Sequence, residues 1–399
     1  MNDYIAFLIL GVPSWAVVDG TWSLLSEIAE NQPEGYNISA YLMLALTLGN
    51  IFPLLVGYLL EHSTKSQLKR LILVILAVGL TTSILLAICW NDVVTISSTQ
   101  LSLPLYILFF IVGVCSSTSN VTHFMFVSSY DASCTTGLAV GMGIGSMISG
   151  VLAIIQGFFL ADIGYSPSLY FATLALLYVP SLYVVVIHTK IDNADSSQST
   201  SRSAGSYEVL TDQDTLVKEE QVIPIVGFNF SSFLQSYKSL LCIHLLSCSM
   251  GYGLVPALIS YACGRFAGRD WVLLLATGLY AVINPWSRYV TDYYRLESIQ
   301  GLWQGAAWLG VLTFGLLLCA TLPANLALYQ GAGGILPIIL YVAFGCLFGY
   351  TNTCVYRYLK EHAVPSQVQG VYRCFGIASQ TGALLGSLIA FTYVICSST

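Results

Sequence analysis

Charge is what this sequence has least of. Of its 399 residues only 14 are Lys or Arg and 20 Asp or Glu, and no basic run gathers them. A net charge of −6 with no basic patch argues against a nucleic-acid partner. Paired metal-ligand cysteines are also missing. The 11 cysteines are scattered singly, without Cys-x-x-Cys, so neither a metal site nor a disulfide framework is encoded. Cys89, Cys263, Cys319 and Cys396 fall near helix ends on one side, where a single bridge could form. The five histidines never make His-Glu-x-x-His, no phosphate loop is present, and Gly143-Ile-Gly145-Ser146 has no base partner for a nucleophile. Enzymatic and ATP-driven readings fall with these absences, and no cofactor is called for. No basic stretch precedes the first apolar run, so no cleavable signal peptide is expected.

What is abundant is apolar surface. The chain is 56% hydrophobic with a mean hydropathy of +0.75, and runs long enough to cross a bilayer recur from end to end. Eleven spans are expected, at about 5–25, 38–60, 70–91, 104–128, 137–160, 168–189, 238–262, 270–292, 299–321, 335–358 and 370–396. Residues 190–236 are polar, Ser-rich and without period, a disordered linker between a six-helix block (1–189) and a five-helix block (237–399). With the N-terminus cytoplasmic, twelve Lys and Arg fall inside and only Arg265 and Arg269 outside. The C-terminus then ends outside. Asn37-Ile-Ser39 lies in the first outer loop, where a glycan can be added.

The two blocks carry matching features about 232 residues apart. Asn50 with Pro53 answers Asn284-Pro285, and Ser119-Asn120-Val-Thr122 answers Thr351-Asn352-Thr353. Gly137, Gly141, Gly143, Gly145 and Gly150 answer Gly376, Gly382 and Gly386. The Gly/Pro interruption of the first span answers Gly251-Tyr252-Gly253-Leu-Val-Pro256. Interrupted helices paired in two halves point to the central site of a transporter. The glycines allow close helix approach, either as static packing or as faces that slide.

Within the first span, Trp15, Asp19 and Trp22 are spaced i, i+4, i+7 and share a helical face. At about 1.5 Å per residue from Ile5, Asp19 lies roughly 21 Å in, past the midplane of a hydrocarbon core about 30 Å thick. An intramembrane carboxylate costs roughly 2.5–3.5 kcal/mol and looks into a bundle or watery cavity. The alternative is a helix-end Asp snorkelling outward beside an interfacial Trp. Asn50, Asn120, Asn284 and Asn352 each offer a donor and an acceptor, to a ligand or to a neighbouring helix. His123 at the end of span four is either titratable or a structural hydrogen-bonding residue. The i, i+4 pairs Arg288/Asp292 and Arg357/Glu361 serve as an inner gate or as surface anchors.

Several of these stretches together resemble the eukaryotic riboflavin transporters, solute carrier family 52. They are Ser14-Trp-Ala-Val-Val-Asp-Gly-Thr-Trp22 with Pro33-Glu-Gly-Tyr36 and Leu48-Gly-Asn50, and Ser119-Asn-Val-Thr122 through Ile155-Gln-Gly157. Gly253-Leu-Val-Pro-Ala257 with Ser260-Tyr261 and Cys263, Asn284-Pro285, and Cys374-Phe-Gly376 through Gln380-Thr-Gly382 and Leu384-Leu-Gly386 complete the likeness. The resemblance implies a divergent member: an all-α, major-facilitator or equilibrative-nucleoside-carrier-like protein of about 11 transmembrane helices in 6+5 parallel pseudo-repeats. It also implies facilitative, sodium-independent uptake of riboflavin across the plasma membrane, pH-sensitive in some members. The expected partners are this small molecule and the bilayer, with the carrier a monomer. The site expected on these grounds comprises Trp15, Asp19, Trp22, Asn50, Asn120, Thr122, Tyr252, Asn284, Asn352 and Gln380. Trp15, Trp22 and Tyr252 would meet the ring, the Asn and Gln residues its polar edge, and Asp19 a hydroxyl or a coupled proton. The chain departs from the family at Leu24 (usually acidic), Asp19 (Asn), Met142 and Ile259 (Gln) and Tyr252 (Asn). A carrier for another heterocycle, such as a nucleoside-like compound, and a non-transporting receptor on the same fold remain alternatives.

Overall fold

The computed structural model of the chain describes residues 2–59, 65–127, 130, 132–160, 166–187, 230–291, 293–294, 296–322, 334–362 and 368–398. Residues 190–229 of the expected linker lie outside these. Its last residues, 230–236, belong instead to a helix, anchored by the buried Phe233 stacked on Tyr237 with ring centroids 5.5 Å apart.

Two short helices, α1 (Asp3–Gly11) and α2 (Pro13–Ser23), build the first span, and α3 (Leu25–Asn31) extends it past a kink at Leu24. Pro13 starts α2 because a proline is tolerated at a first helical turn, where its missing N–H goes unneeded. After a 3-10 turn (Gly35–Asn37) come α4 (Ile38–Gly49) and α5 (Phe52–Leu59), separated where Asn50 caps the first. The block continues with α6 (Lys65–Cys89), α7 (Leu103–Val127), α8 (Ala132–Ile155) with a π-helical turn over Gln156–Leu160, and α9 (Pro167–Leu176), after which 178–187 are again helical. The second block has α10 (Phe230–Ser249), a π turn at Met250–Leu254, α11 (Val255–Cys263), α12 (Arg269–Val290), α13 (Ile299–Thr321), α14 (Ile335–His362) and α15 (Val368–Ser398).

Among the described residues nine helical stretches are long and apolar enough to cross a membrane. Two of the expected spans fall short of that standard for different reasons. The 38–60 span is cut in two at Asn50, and the 270–292 span is a single 22-residue helix made polar by Asp270, Asn284, Ser287 and Arg288. One element was not foreseen: an antiparallel hairpin, β1 (Val94–Ile96) with β2 (Thr99–Leu101), whose turn holds Ser97 and Ser98 at φ 49° and 74°. Such a turn ordinarily signals itself by Asn-Gly or Gly, which this sequence lacks there.

Glycine sets the helix packing inside each block. A Cβ at Gly141 or Gly145 would stand 2.0 Å from the carbonyl oxygens of Leu8 and Val12, so α8 lies directly on the α1–α2 backbone. Gly382 and Gly386 do the same for α15, 2.6 Å and 2.0 Å from the oxygens of Leu245 and Ser249. These stripes are therefore intra-block packing, not sliding faces. Gly143 and Gly150 instead meet the other block, at Pro285 (3.1 Å) and the Gly278 oxygen (2.7 Å).

Contacts between the blocks gather at one end. Ser39 Oγ donates to the Ala257 oxygen (2.6 Å), Ser260 Oγ to the Tyr36 oxygen (2.6 Å), and Thr47 and Ser387 join hydroxyls at 2.8 Å nearer the middle. Along α12 one face stays buried from Val272, Leu273 and Ala276 to Ser287, while Trp271, Trp286 and Tyr289 are exposed. The Ser39–Ala257 and Ser260–Tyr36 bonds seal the bundle at the end carrying Glu30 and Asp270.

Candidate functional site

The repeat seen in the sequence becomes a repeated geometry. In the first block Trp15, on α2, donates its indole N–H to Asn120 Oδ1 on α7 at 3.0 Å. In the second, Asn352 Nδ2 on α14 donates to the hydroxyl of Tyr252, in the π turn, at 3.4 Å. Each block thus fixes one large half-buried ring with an asparagine from the equivalent neighbouring helix. Tyr252 is held further by Phe348, edge to face at 4.8 Å, and Trp22 by Phe109 at 5.9 Å. A ring locked by packing and a polar tether is already oriented to stack a flat ligand.

Asp19 faces α8, where Ser146 donates its hydroxyl to Oδ2. One turn back along α8, Gly143 rests on Pro285, which places Asp19 near the C-terminal part of α12 across the seam between the blocks. There Arg288 Nε donates to Asn284 Oδ1 at 2.9 Å. Tyr280, one turn before Asn284, is stacked on Tyr341 at 4.7 Å. The snorkelling alternative for Asp19 is thereby excluded: its carboxylate points into the bundle.

The structure gathers Trp15, Asp19, Asn120, Tyr252, Asn284 and Asn352 around this central region. Thr122 does not join them. Its hydroxyl is fully buried and bonds backwards to the Thr118 oxygen at 3.0 Å, the usual way an intrahelical threonine satisfies itself in an apolar setting. Asn50 sits at the α4–α5 break, one turn past the Thr47 that meets Ser387, and Gln380 is half-buried on α15. Asn37 is half-buried on the 3-10 turn. Ser146, which bonds Asp19, and Arg288, which bonds Asn284, are residues that the sequence did not single out for the site. Arg288 was paired there with Asp292, which lies outside the described residues, and Ser146 appeared only within a rejected nucleophile pattern. Arg357 ties helix ends together by donating to the Thr291 oxygen at 2.9 Å.

His123 is fully buried, shares a contact of 3.3 Å with Ser14 Oγ, and borders a water-sized cavity with Ser14, Ser116 and Ser119. It is part of the wall. All 11 cysteines are free thiols, so the bridge allowed by the sequence is not formed. Among the described residues no His, Cys, Asp and Glu cluster could hold a metal ion. Of the departures from the resembled family, Leu24 and Ile259 are 2% and 1% exposed within the hydrophobic core, where apolar side chains are at home.

Comparison with solved structures establishes the fold. The nucleoside transporter NupG superposes with a TM-score of 0.59 at 11% identity, over 98% of this chain and 91% of its own. A D-xylose-proton symporter gives 0.56 at 14% (98% and 88%), and the peptide transporter PepTSo 0.58 at 11% (100% and 92%). The fold is of the major-facilitator type. Among curated relatives, solute carrier family 52 riboflavin transporter member 3-A of Danio rerio is 24% identical over 96% of this chain and 93% of its own length. Member 2 of Homo sapiens is 23% identical over 96% and 92%. The family model for the solute carrier family 52 riboflavin transporters matches residues 3–163 and 161–398, and with that coverage the chain belongs to this family.

Proposed function

We propose that the protein carries riboflavin across the plasma membrane by facilitative alternating access of its two blocks, independently of sodium. The observation that carries the reading is the pair of tethered rings, Trp15 with Asn120 and Tyr252 with Asn352, flanking Asp19 at the seam between blocks. A flavin is a flat heterocycle with a polar pyrimidine edge and a hydroxylated chain. Stacking on Trp15 and Tyr252, amide contacts from Asn284, and a carboxylate acceptor for the ring N–H or a ribityl hydroxyl match those parts. Asn120 and Asn352 act chiefly by orienting the rings. Asp19 binds a hydroxyl or takes up a proton during the cycle.

The N-terminus is cytoplasmic, so Lys69, Arg70, Arg288 and Arg357 face the cell interior and the sealed end faces outward. The division at residues 190–236, the glycan at Asn37 and a monomeric carrier complete the proposal. The test is riboflavin uptake by a riboflavin-requiring cell expressing the chain, with lumiflavin as competitor and Trp15→Ala and Trp22→Ala as controls. Saturable, competed uptake that Trp15→Ala abolishes supports the reading. A surface-expressed chain that moves no riboflavin overturns it.

A further inference from the structure

Three asparagines of the site are already partly committed to protein groups, and what each has left differs. The Nε atoms of Trp15 and Arg288 can only donate, so the oxygens of Asn120 and Asn284, which accept from them at 3.0 Å and 2.9 Å, are occupied. Both amides keep N–H groups for whatever else approaches. Asn352 is committed the other way round. Its Nδ2 donates to the Tyr252 hydroxyl at 3.4 Å, and among the described residues no group donates to its Oδ1.

That oxygen is an orphaned acceptor. Asn352 is 8% exposed, and Oδ1 itself is buried. A buried carbonyl without a donor is destabilising, and a ligand N–H that reaches it removes the defect. The amide is not free to swing toward a partner of its own. Phe348, one turn before Asn352 on α14, meets the Tyr252 ring edge to face at 4.8 Å, and Gly251 lies against the Phe348 ring. One face of α14 therefore grips Tyr252 by ring and hydroxyl together. Asn284 lies close to the same stretch of α14, because a Cβ at Gly349 would stand 3.3 Å from Asn284 Oδ1.

We propose that the site reads a cyclic imide edge, carbonyl then N–H then carbonyl. Asn352 Oδ1 accepts from the ring N–H, and the N–H groups of Asn284 and Asn120 meet the carbonyls on either side. Asn352 then touches the ligand as well as steering Tyr252, a role that rests on the site assigned above and deepens it. Flavin carries this edge on its pyrimidine ring, and so do uracil-type rings. Adenine- and cytosine-type edges put an amino group where the imide has a carbonyl. That donor would face the N–H of an asparagine, and two opposed donors exclude the ring.

The test is binding to the purified full-length protein, read by quenching of flavin fluorescence, with lumiflavin against 3-methyllumiflavin. Methylation at N3 removes the single ring N–H and keeps both carbonyls and the stacking surface. The methylated ring should bind roughly 10–100-fold more weakly. Asn352→Leu should bring the two affinities together. Tyr252→Phe removes the tethering hydroxyl but not the acceptor, so both ligands should weaken while the preference persists. Equal affinities in the parental protein overturn the imide reading and leave riboflavin as the cargo. A preference lost as fully in Tyr252→Phe as in Asn352→Leu also overturns it, because Asn352 would then be a tether alone. Uridine and 3-methyluridine, followed by tryptophan fluorescence, repeat the comparison on a second ring. If no flavin binds, yet uridine exceeds 3-methyluridine and Asn352→Leu erases the difference, the cargo is wrong and the imide reading stands. A protein that binds neither pair overturns both.

Discussion

Gly145→Ala tests how the central carboxylate is held. A Cβ at residue 145 would stand 2.0 Å from the Val12 carbonyl oxygen, 3.1 Å from the Val12 carbonyl carbon and 3.4 Å from Ala16 Cβ. Carbon and oxygen rest comfortably at about 3.3 Å, so α8 and the α1–α2 junction must part by roughly 1 Å. The obstructing atom is backbone and has no rotamer to yield. Overpacking of this kind costs ~1–3 kcal/mol, and a contact this short belongs at the upper end. Alanine returns about 1 kcal/mol of helix propensity relative to glycine. The net loss is about 2 kcal/mol, which at about 2–4 °C per kcal/mol lowers the melting temperature by roughly 4–8 °C. The comparison is Gly310→Ala on α13, where nothing lies within 4 Å and only the propensity gain applies. Thermal unfolding of the two detergent-purified variants, followed by fluorescence-detected size exclusion, reads the difference. Because Ser146 adjoins the displaced position, uptake by Gly145→Ala should also fall. Equal melting temperatures for the two variants would refute the packing argument.

Three further outcomes follow from the site. Asp19→Asn should alter the pH profile of uptake, and an unchanged profile would remove any proton role from Asp19. Asn120→Ala and Asn352→Ala each release one tethered ring, so the KM for uptake should rise roughly 2–10-fold, the worth of one hydrogen bond. Thr122→Val should be neutral by comparison, since its hydroxyl serves only its own helix; a larger defect there than in Asn120→Ala would show the site misplaced. Arg288→Gln should impair uptake more than Arg70→Gln, because Arg288 holds the side chain of Asn284 through its Nε. Equal effects would return Arg288 to the role of a surface anchor.

Membrane class, the positions of most helices and the two-block repeat were legible in the sequence because they are local properties. An apolar run declares a span by its length and lack of charge, and a tryptophan, asparagine or proline repeated at one offset survives any amount of apolar drift around it. The family resemblance rested on the same short stretches. The intended face of Trp15 and Asp19 was also legible, since i, i+4 spacing fixes a common side of a helix whatever packs against it. Tertiary structure decided what each face meets. Ser146 is 127 residues from Asp19, and Asn352 is 100 from Tyr252, distances that no periodicity encodes. Nor does any periodicity reveal that Asn120 and Asn352 hold rings, or that Thr122 turns back on its own helix. A glycine in the sequence says only that a close approach is allowed; which backbone arrives at 2.0 Å is settled when the helices of each block pack.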